Sequence, residues 1–257
     1  MIGWFRIVLL AALAAPLAAP ADPAGNAADA AALERARKIF ESGKEAEALP
    51  ILRGILTADP DEGKAMELLI KAIDVIGQKE KDSEKAKARF EKAVALARGM
   101  VEKHPDKPMW RFLLAKTQGH LSLTLSGKEK LETGRAVETN AKKAIALDSR
   151  FAPAYAVLGV YYREVANMGW LTRKLANSLF GELKGTLAMS EKALRKAVEL
   201  DPDAIYAHYE LAVTLEMEGR SAEAAKHYAK TLSSPRRDPM DAGKQAVAKE
   251  KLKKLFQ

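Results

Sequence analysis

The chain has 257 residues, of which 48% are hydrophobic and 30% are charged, and it carries a net charge of +8. This length is enough for a sizeable core in one or two domains. The lack of cysteine excludes disulfides, a thiolate nucleophile and a cysteine zinc site. The modest basic excess is spread along the chain and does not indicate a nucleic-acid partner.

Residues 1–21 have the three-part pattern of a secretory signal peptide, in which Arg6 precedes an apolar run over 7–15 and small residues follow. The run is shorter than the about 20 apolar residues of a membrane span. We therefore expect cleavage near Ala21 and a periplasmic or secreted mature protein, beginning with a flexible leader over 22–28. The alternative is an uncleaved anchor at residues 2–21, the one case in which we expect membrane contact.

Residues 29–257 show a helical period that is interrupted by short stops containing Asp or Pro, without sustained alternation of apolar and polar residues. A tetratricopeptide-repeat register fits this stretch with units that start near residues 29, 63, 108, 152 and 205. In the last unit, the register places Leu211, Ala212, Gly219, Ala224 and Tyr228 at the expected large and small positions. The sequence predicts an all-α tetratricopeptide-repeat solenoid of about five helix pairs, with a capping helix at 238–255.

The fourth unit is the longest because it contains an apolar insertion at residues 167–181. Gly169 and Gly181 bracket a short helix whose large apolar residues share one side. Because such residues favour burial, we expect Trp170 and Phe180 to fold back over the repeat groove. Arg173 and Lys174 would then lie at its rim with their charges in water.

Four segments carry a family resemblance: Leu158–Tyr162, Glu164–Ala166, Trp170–Ala176 and Leu179–Gly181. From about residue 85 onward the chain resembles the regulator of microtubule dynamics family and its bacterial tetratricopeptide relatives. The resemblance implies a helical, non-catalytic protein that acts through protein contacts, and one animal member adds a possible lipid ligand. The microtubule role should not transfer, since the export signal is of a bacterial type.

No phosphate-binding glycine loop and no GxSxG nucleophile elbow occur in the sequence. The four histidines form no HExxH-like pair. Paired carboxylates such as Asp59 and Asp61 stand at helix starts, where a capping role explains them. We therefore expect no enzymatic activity, no cofactor, and no catalytic or metal-binding residue.

Binding is expected in the concave groove, which the first helix of each unit lines with its second, fifth, ninth, twelfth and thirteenth residues. The residues at these positions mix aromatic, aliphatic and charged side chains that suit a peptide. They are Met109, Phe112, Lys116, His120, Arg163, Glu164, Tyr206, Tyr209, Glu216 and Met217. The leading interpretation is an exported, non-enzymatic scaffold that binds a protein or peptide there. The alternative is a carrier of a lipid or apolar small molecule in a pocket roofed by the insertion.

Overall fold

In the computed structural model, which describes residues 23–255, all regular structure is α-helical. The all-α prediction is thereby confirmed. The helices are α1 Pro23–Glu41, α2 Glu45–Ala58, α3 Gly63–Lys79, α4 Ser83–Lys103, α5 Pro108–Leu123, α6 Gly127–Leu147, α7 Ala152–Ala166, α8 Trp170–Phe180, α9 Leu187–Leu200, α10 Ile205–Met217, α11 Ser221–Ser233 and α12 Asp241–Leu255. The signal-peptide prediction for 1–21 lies outside the described residues.

The helices pack mainly against their neighbours along the chain, which is the contact pattern of a solenoid. Helices α3, α5, α7, α10 and α12 also contact one another in that order and form the inner layer. Four of them begin at Gly63, Pro108, Ala152 and Ile205, which are the predicted unit starts. Helix α8 is the exception, because α7 packs against α9 instead.

Local chemistry explains where the helices begin and end. The Asp82 carboxylate accepts hydrogen bonds from the first backbone N–H groups of α4, and the Thr186 hydroxyl does the same for α9. Prolines stand in the first turn of α5 and α7, where their missing N–H costs nothing. Fully buried alanines such as Ala48, Ala93 and Ala197 lie where helices approach closely.

The two ends of the domain differ from the predicted boundaries. Helix α1 already begins at Pro23, so most of the stretch predicted to be a flexible leader is helical. Helix α12 begins at Asp241 rather than at residue 238, because the Asp241 carboxylate accepts hydrogen bonds from the backbone N–H groups of Arg237 and Asp238 and holds a turn before the helix. Within residues 23–255, every helix is too short or too polar to cross a membrane.

Candidate functional site

The first part of the concave groove is built around a buried carboxylate on α3. Asp74 accepts a hydrogen bond from Gln78 Nε2 at 3.1 Å, and its other oxygen lies 2.7 Å from His120 Nδ1. The ammonium group of Lys116 lies 3.4 Å from the same carboxylate. Burial alone would raise the pKa of Asp74, but the charges of His120 and Lys116 outweigh it and hold that pKa below its ordinary value. Two of the predicted groove residues therefore neutralise Asp74.

A second buried ion pair joins α7 to α10. Arg163 Nη2 donates to Glu210 Oε2 at 2.6 Å, and Nη1 donates to the Glu210 carbonyl oxygen at 3.1 Å. The Thr214 hydroxyl lies 3.1 Å from that of Ser190, which extends the polar network to α9. Burial opposes the charge of Arg163, but the Glu210 carboxylate reverses this effect and raises the Arg163 pKa. This predicted groove residue holds the fourth and fifth units together.

The C-terminal part of the chain covers much of the remaining groove. Lys244 Nζ lies 5.2 Å from the ring centre of Tyr206, and Lys251 Nζ lies 2.8 Å from Glu216 Oε1. Met240, in the turn before α12, packs against the hydrophobic cluster of the first five helices. A peptide that uses the full groove must therefore displace residues 238–255.

The predicted groove residues do share one face, but few of them are free to bind. Phe112 packs edge-to-face against Phe151, with ring centres 5.6 Å apart, and Met109 is half-buried in the first cluster. Tyr209 is half-buried against the cluster that contains Tyr228. Only two members of the set are exposed, namely Glu164 and Met217.

The expectation that the insertion folds over the groove is wrong. Trp170 is 76% exposed and Leu171 is 64% exposed, while Ala176 on the other side of α8 is completely buried. The helix docks through this small face onto the second hydrophobic cluster, beside the end of α7. Arg173 anchors it there, since Nη2 donates to the carbonyl oxygens of Val165 at 2.7 Å and of Gly185 at 3.1 Å. The insertion thus provides no roof for a lipid pocket.

Docking through the small face leaves one side of α8 as an exposed apolar surface. It consists of Trp170, Leu171, Lys174, Leu175 and Leu179, and we call it the α8 face. Phe180 is only partly buried, and the Arg135 guanidinium lies 5.8 Å from its ring centre. Large apolar side chains that remain together in water mark an interaction surface.

His208 and His227 form a pair at the contact between α10 and α11, which the sequence did not predict. Its two Nδ1 atoms are 2.9 Å apart, and His208 Nε2 lies 3.0 Å from the carbonyl oxygen of Pro202. Since a carbonyl only accepts, His208 carries its proton on Nε2 and accepts from His227 Nδ1–H. Burial lowers the pKa of both rings, that of His227 to about 4. Within residues 23–255, no three His, Asp or Glu side chains are placed to hold a metal ion.

Helix pairs stacked in chain order around a concave inner layer define a tetratricopeptide-repeat protein. The fold is similar to that of TTC0263, a thermophilic TPR protein of Thermus thermophilus, with a TM-score of 0.63 and 19% identity over 86% of this chain and 99% of that one. PilF of Pseudomonas aeruginosa gives a TM-score of 0.48 at 14% identity, over 91% of this chain and 94% of that one. The predicted repeat fold is confirmed.

The sequence model of the family "Regulator of microtubule dynamics protein 1-3" matches residues 32–256, and the chain belongs to this family. Regulator of microtubule dynamics protein 3 of Xenopus laevis is 32% identical over 101 residues, which make up 39% of this chain and 21% of that protein. The match therefore spans about a fifth of the length of this relative. Fold and family therefore both agree with the resemblance seen in the sequence.

Proposed function

We propose that this protein is an exported, non-catalytic scaffold that binds a protein partner through the α8 face. The observation that carries the proposal is the 76% exposure of Trp170, next to Leu171 at 64%. Elsewhere in the described chain, aromatic side chains such as Trp110 and Tyr228 are buried. An exposed Trp side chain is a typical anchor of protein interfaces, and Leu171 beside it adds apolar contact area.

The charge of the α8 face specifies the chemistry of the partner. Lys174 lies in the middle of the apolar residues and forms no ion pair within residues 23–255. A docked apolar surface would bury this ammonium group, which costs free energy unless an acidic group pairs with it. The best fit is an amphipathic helix of another protein, with a carboxylate beside its apolar stripe.

Site-specific photo-crosslinking in the native host tests this assignment. We expect a crosslinker at Leu171 to capture one discrete protein, and the same crosslinker at Val247 to serve as control, because Val247 is also exposed but lies on α12. The purified partner should then lose affinity for Trp170→Ala and for Lys174→Glu, and keep it for Val247→Ala. An adduct with a second copy of the chain, or unchanged affinity in both α8 variants, would contradict the proposal.

The concave groove is the second candidate, because Glu164 and Met217 remain exposed along it. A peptide bound there would crosslink to a probe at Met217 and would compete with α12.

Export is the part of the proposal that rests on residues 1–21. We expect the intact mass of the periplasmic fraction to correspond to a chain that starts near Asp22. A chain that keeps Met1 and sediments with membranes would instead indicate an uncleaved anchor. Neither result affects the assignment of the α8 face.

A further inference from the structure

An open cleft of about 560 Å³ lies between α4, α5 and α6, on a different part of the molecule from the groove and from α8. Each helix contributes one face to it. On α5 these are Arg111, Leu114 and Gln118, whereas the groove residues of the same helix include Phe112 and Lys116. At 100° per residue, the two sets lie on opposite sides of α5. The volume is within the usual range for sites that bind small molecules.

Three cations line the cleft, one from each helix: Arg98 from α4, Arg111 from α5 and Lys143 from α6. None of them has an ion-pair partner among residues 23–255, in contrast to the paired cation Arg163. Glu102 is the one acidic residue that lines the cleft. The formal charge of the cleft is therefore positive, and no ion pair within residues 23–255 neutralises its three cations.

The floor of the cleft adds hydrogen-bond donors of fixed orientation. Arg111 Nη1 lies 3.3 Å from Asn140 Oδ1, and Asn140 Nδ2 lies 3.0 Å from Gln118 Oε1. Because a guanidinium group only donates, it fixes the orientation of the Asn140 amide, and that amide in turn fixes Gln118. Both buried amide oxygens are thus used inside the protein, and Gln118 Nε2 is left as a free donor. Arg111 Nε is also buried without a hydrogen-bond partner in the described part of the chain.

We propose that this cleft is a binding site for an oxyanion, the phosphate or carboxylate group of a small ligand. Its lining offers three cations and the free Nε2–H of Gln118, and guanidinium groups match the geometry of both oxyanions. An anion held there would neutralise Arg98 and Lys143 at the mouth. It would also accept a hydrogen bond from Gln118 Nε2, which lines the cleft and donates to no acceptor in the described part of the chain.

Calorimetric titration of the full chain with inorganic phosphate and, separately, with citrate tests the proposal at low ionic strength. We expect saturable binding of at least one of them at one site. In Arg98→Gln/Lys143→Gln, the affinity should fall at least about tenfold, because two charge-assisted contacts are lost. Both residues lie at the mouth of the cleft rather than in the core, so the double variant should keep its fold.

Two further variants separate a specific site from the general attraction of a basic protein for anions. Arg89→Gln/Lys92→Gln removes the same charge from exposed positions of α4 outside the cleft, and we expect its affinity to stay within about twofold. Glu102→Gln removes the only carboxylate that lines the cleft and should bind the anion more tightly. The proposal is overturned if neither anion binds saturably, or if the control loses as much affinity as the cleft variant.

Discussion

Gly159 on α7 gives the sharpest test of the repeat register, because it stands where α7 crosses α9. A Cβ atom added there would lie 2.5 Å from Leu194 Cγ and 3.1 Å from the carbonyl oxygen of Ser190. Non-bonded carbon atoms prefer a separation of about 3.5–4.0 Å. The new methyl group therefore needs a shift of about 1 Å between the helices, or a new rotamer of the fully buried Leu194.

The expected loss of stability is the difference between two opposing effects. Replacing a helical glycine with alanine stabilises a helix by about 1 kcal/mol. Overpacking a rigid contact costs about 1–3 kcal/mol. We expect Gly159→Ala to lower the free energy of unfolding by about 1 kcal/mol and Gly159→Leu by about 2 kcal/mol or more.

Urea denaturation followed by far-UV circular dichroism measures this difference. Gly134→Ala is the matched control, since Gly134 is also within a helix but has open space around its Cβ position. The control should be as stable as the original protein or more so, by up to about 1 kcal/mol. In a double variant with Leu194→Ala, the cost of Gly159→Ala should shrink, because the clashing side chain is gone. If Gly159→Ala unfolds at the same or a higher urea concentration than Gly134→Ala, the packing argument fails.

The remaining predictions concern the buried charges and the exposed tryptophan. The pKa of His227 falls from its ordinary value of ~6.5 to about 4 on folding. The fold is therefore most stable above pH ~6.5, where His227 is neutral in both states, and it loses stability as the pH falls from there to about 4. In a pH series of unfolding measurements, His227→Gln should lack this loss. Asp74→Asn should cost about 3 kcal/mol or more, because it leaves the half-buried Lys116 and His120 without their buried carboxylate. Asp61→Asn breaks an exposed pair with Lys103 and should leave the midpoint of the same urea assay almost unchanged. Trp170→Ala should change stability by no more than about 0.5 kcal/mol, and Trp170 fluorescence, in a variant without other tryptophans, should be red-shifted and readily quenched; a blue-shifted spectrum would contradict the exposure described above.

Local signals in the sequence were sufficient to predict the helices and the register of the repeats. Asp and Pro at the ends of α2 and α9 stop a helix whatever surrounds it, because they act on the backbone of their own turn. Small residues at fixed intervals then identify the helix crossings, as Ala212 and Ala224 of the last unit show, since both are completely buried. The family was also accessible from sequence, since the tryptophan-to-glycine insertion is a continuous segment.

The orientation of α8 was decided by the tertiary structure. An amphipathic period shows which residues share a face, but it does not show which face docks. Docking through Ala176 satisfies the carbonyl oxygens of Val165 and Gly185 with the Arg173 guanidinium. The carbonyl oxygens that Arg173 reaches lie 8 and 12 residues away, and no pattern within α8 reveals them.

Whether the inward-facing residues of the groove are paired within the protein also depends on the whole fold. His120 and its partner Asp74 are 46 residues apart, and Arg163 and Glu210 are 47 residues apart. Each pair therefore forms only when the neighbouring units stack in the orientation that brings the two side chains together. Met240 reaches the first five helices because small rotations between units accumulate along the solenoid. The repeat pattern is enough to identify the repeats and the residues that face inward. The curvature that turns these residues into ion pairs and brings the C-terminus across them is a sum over all the helix contacts, so it follows only from the folded chain.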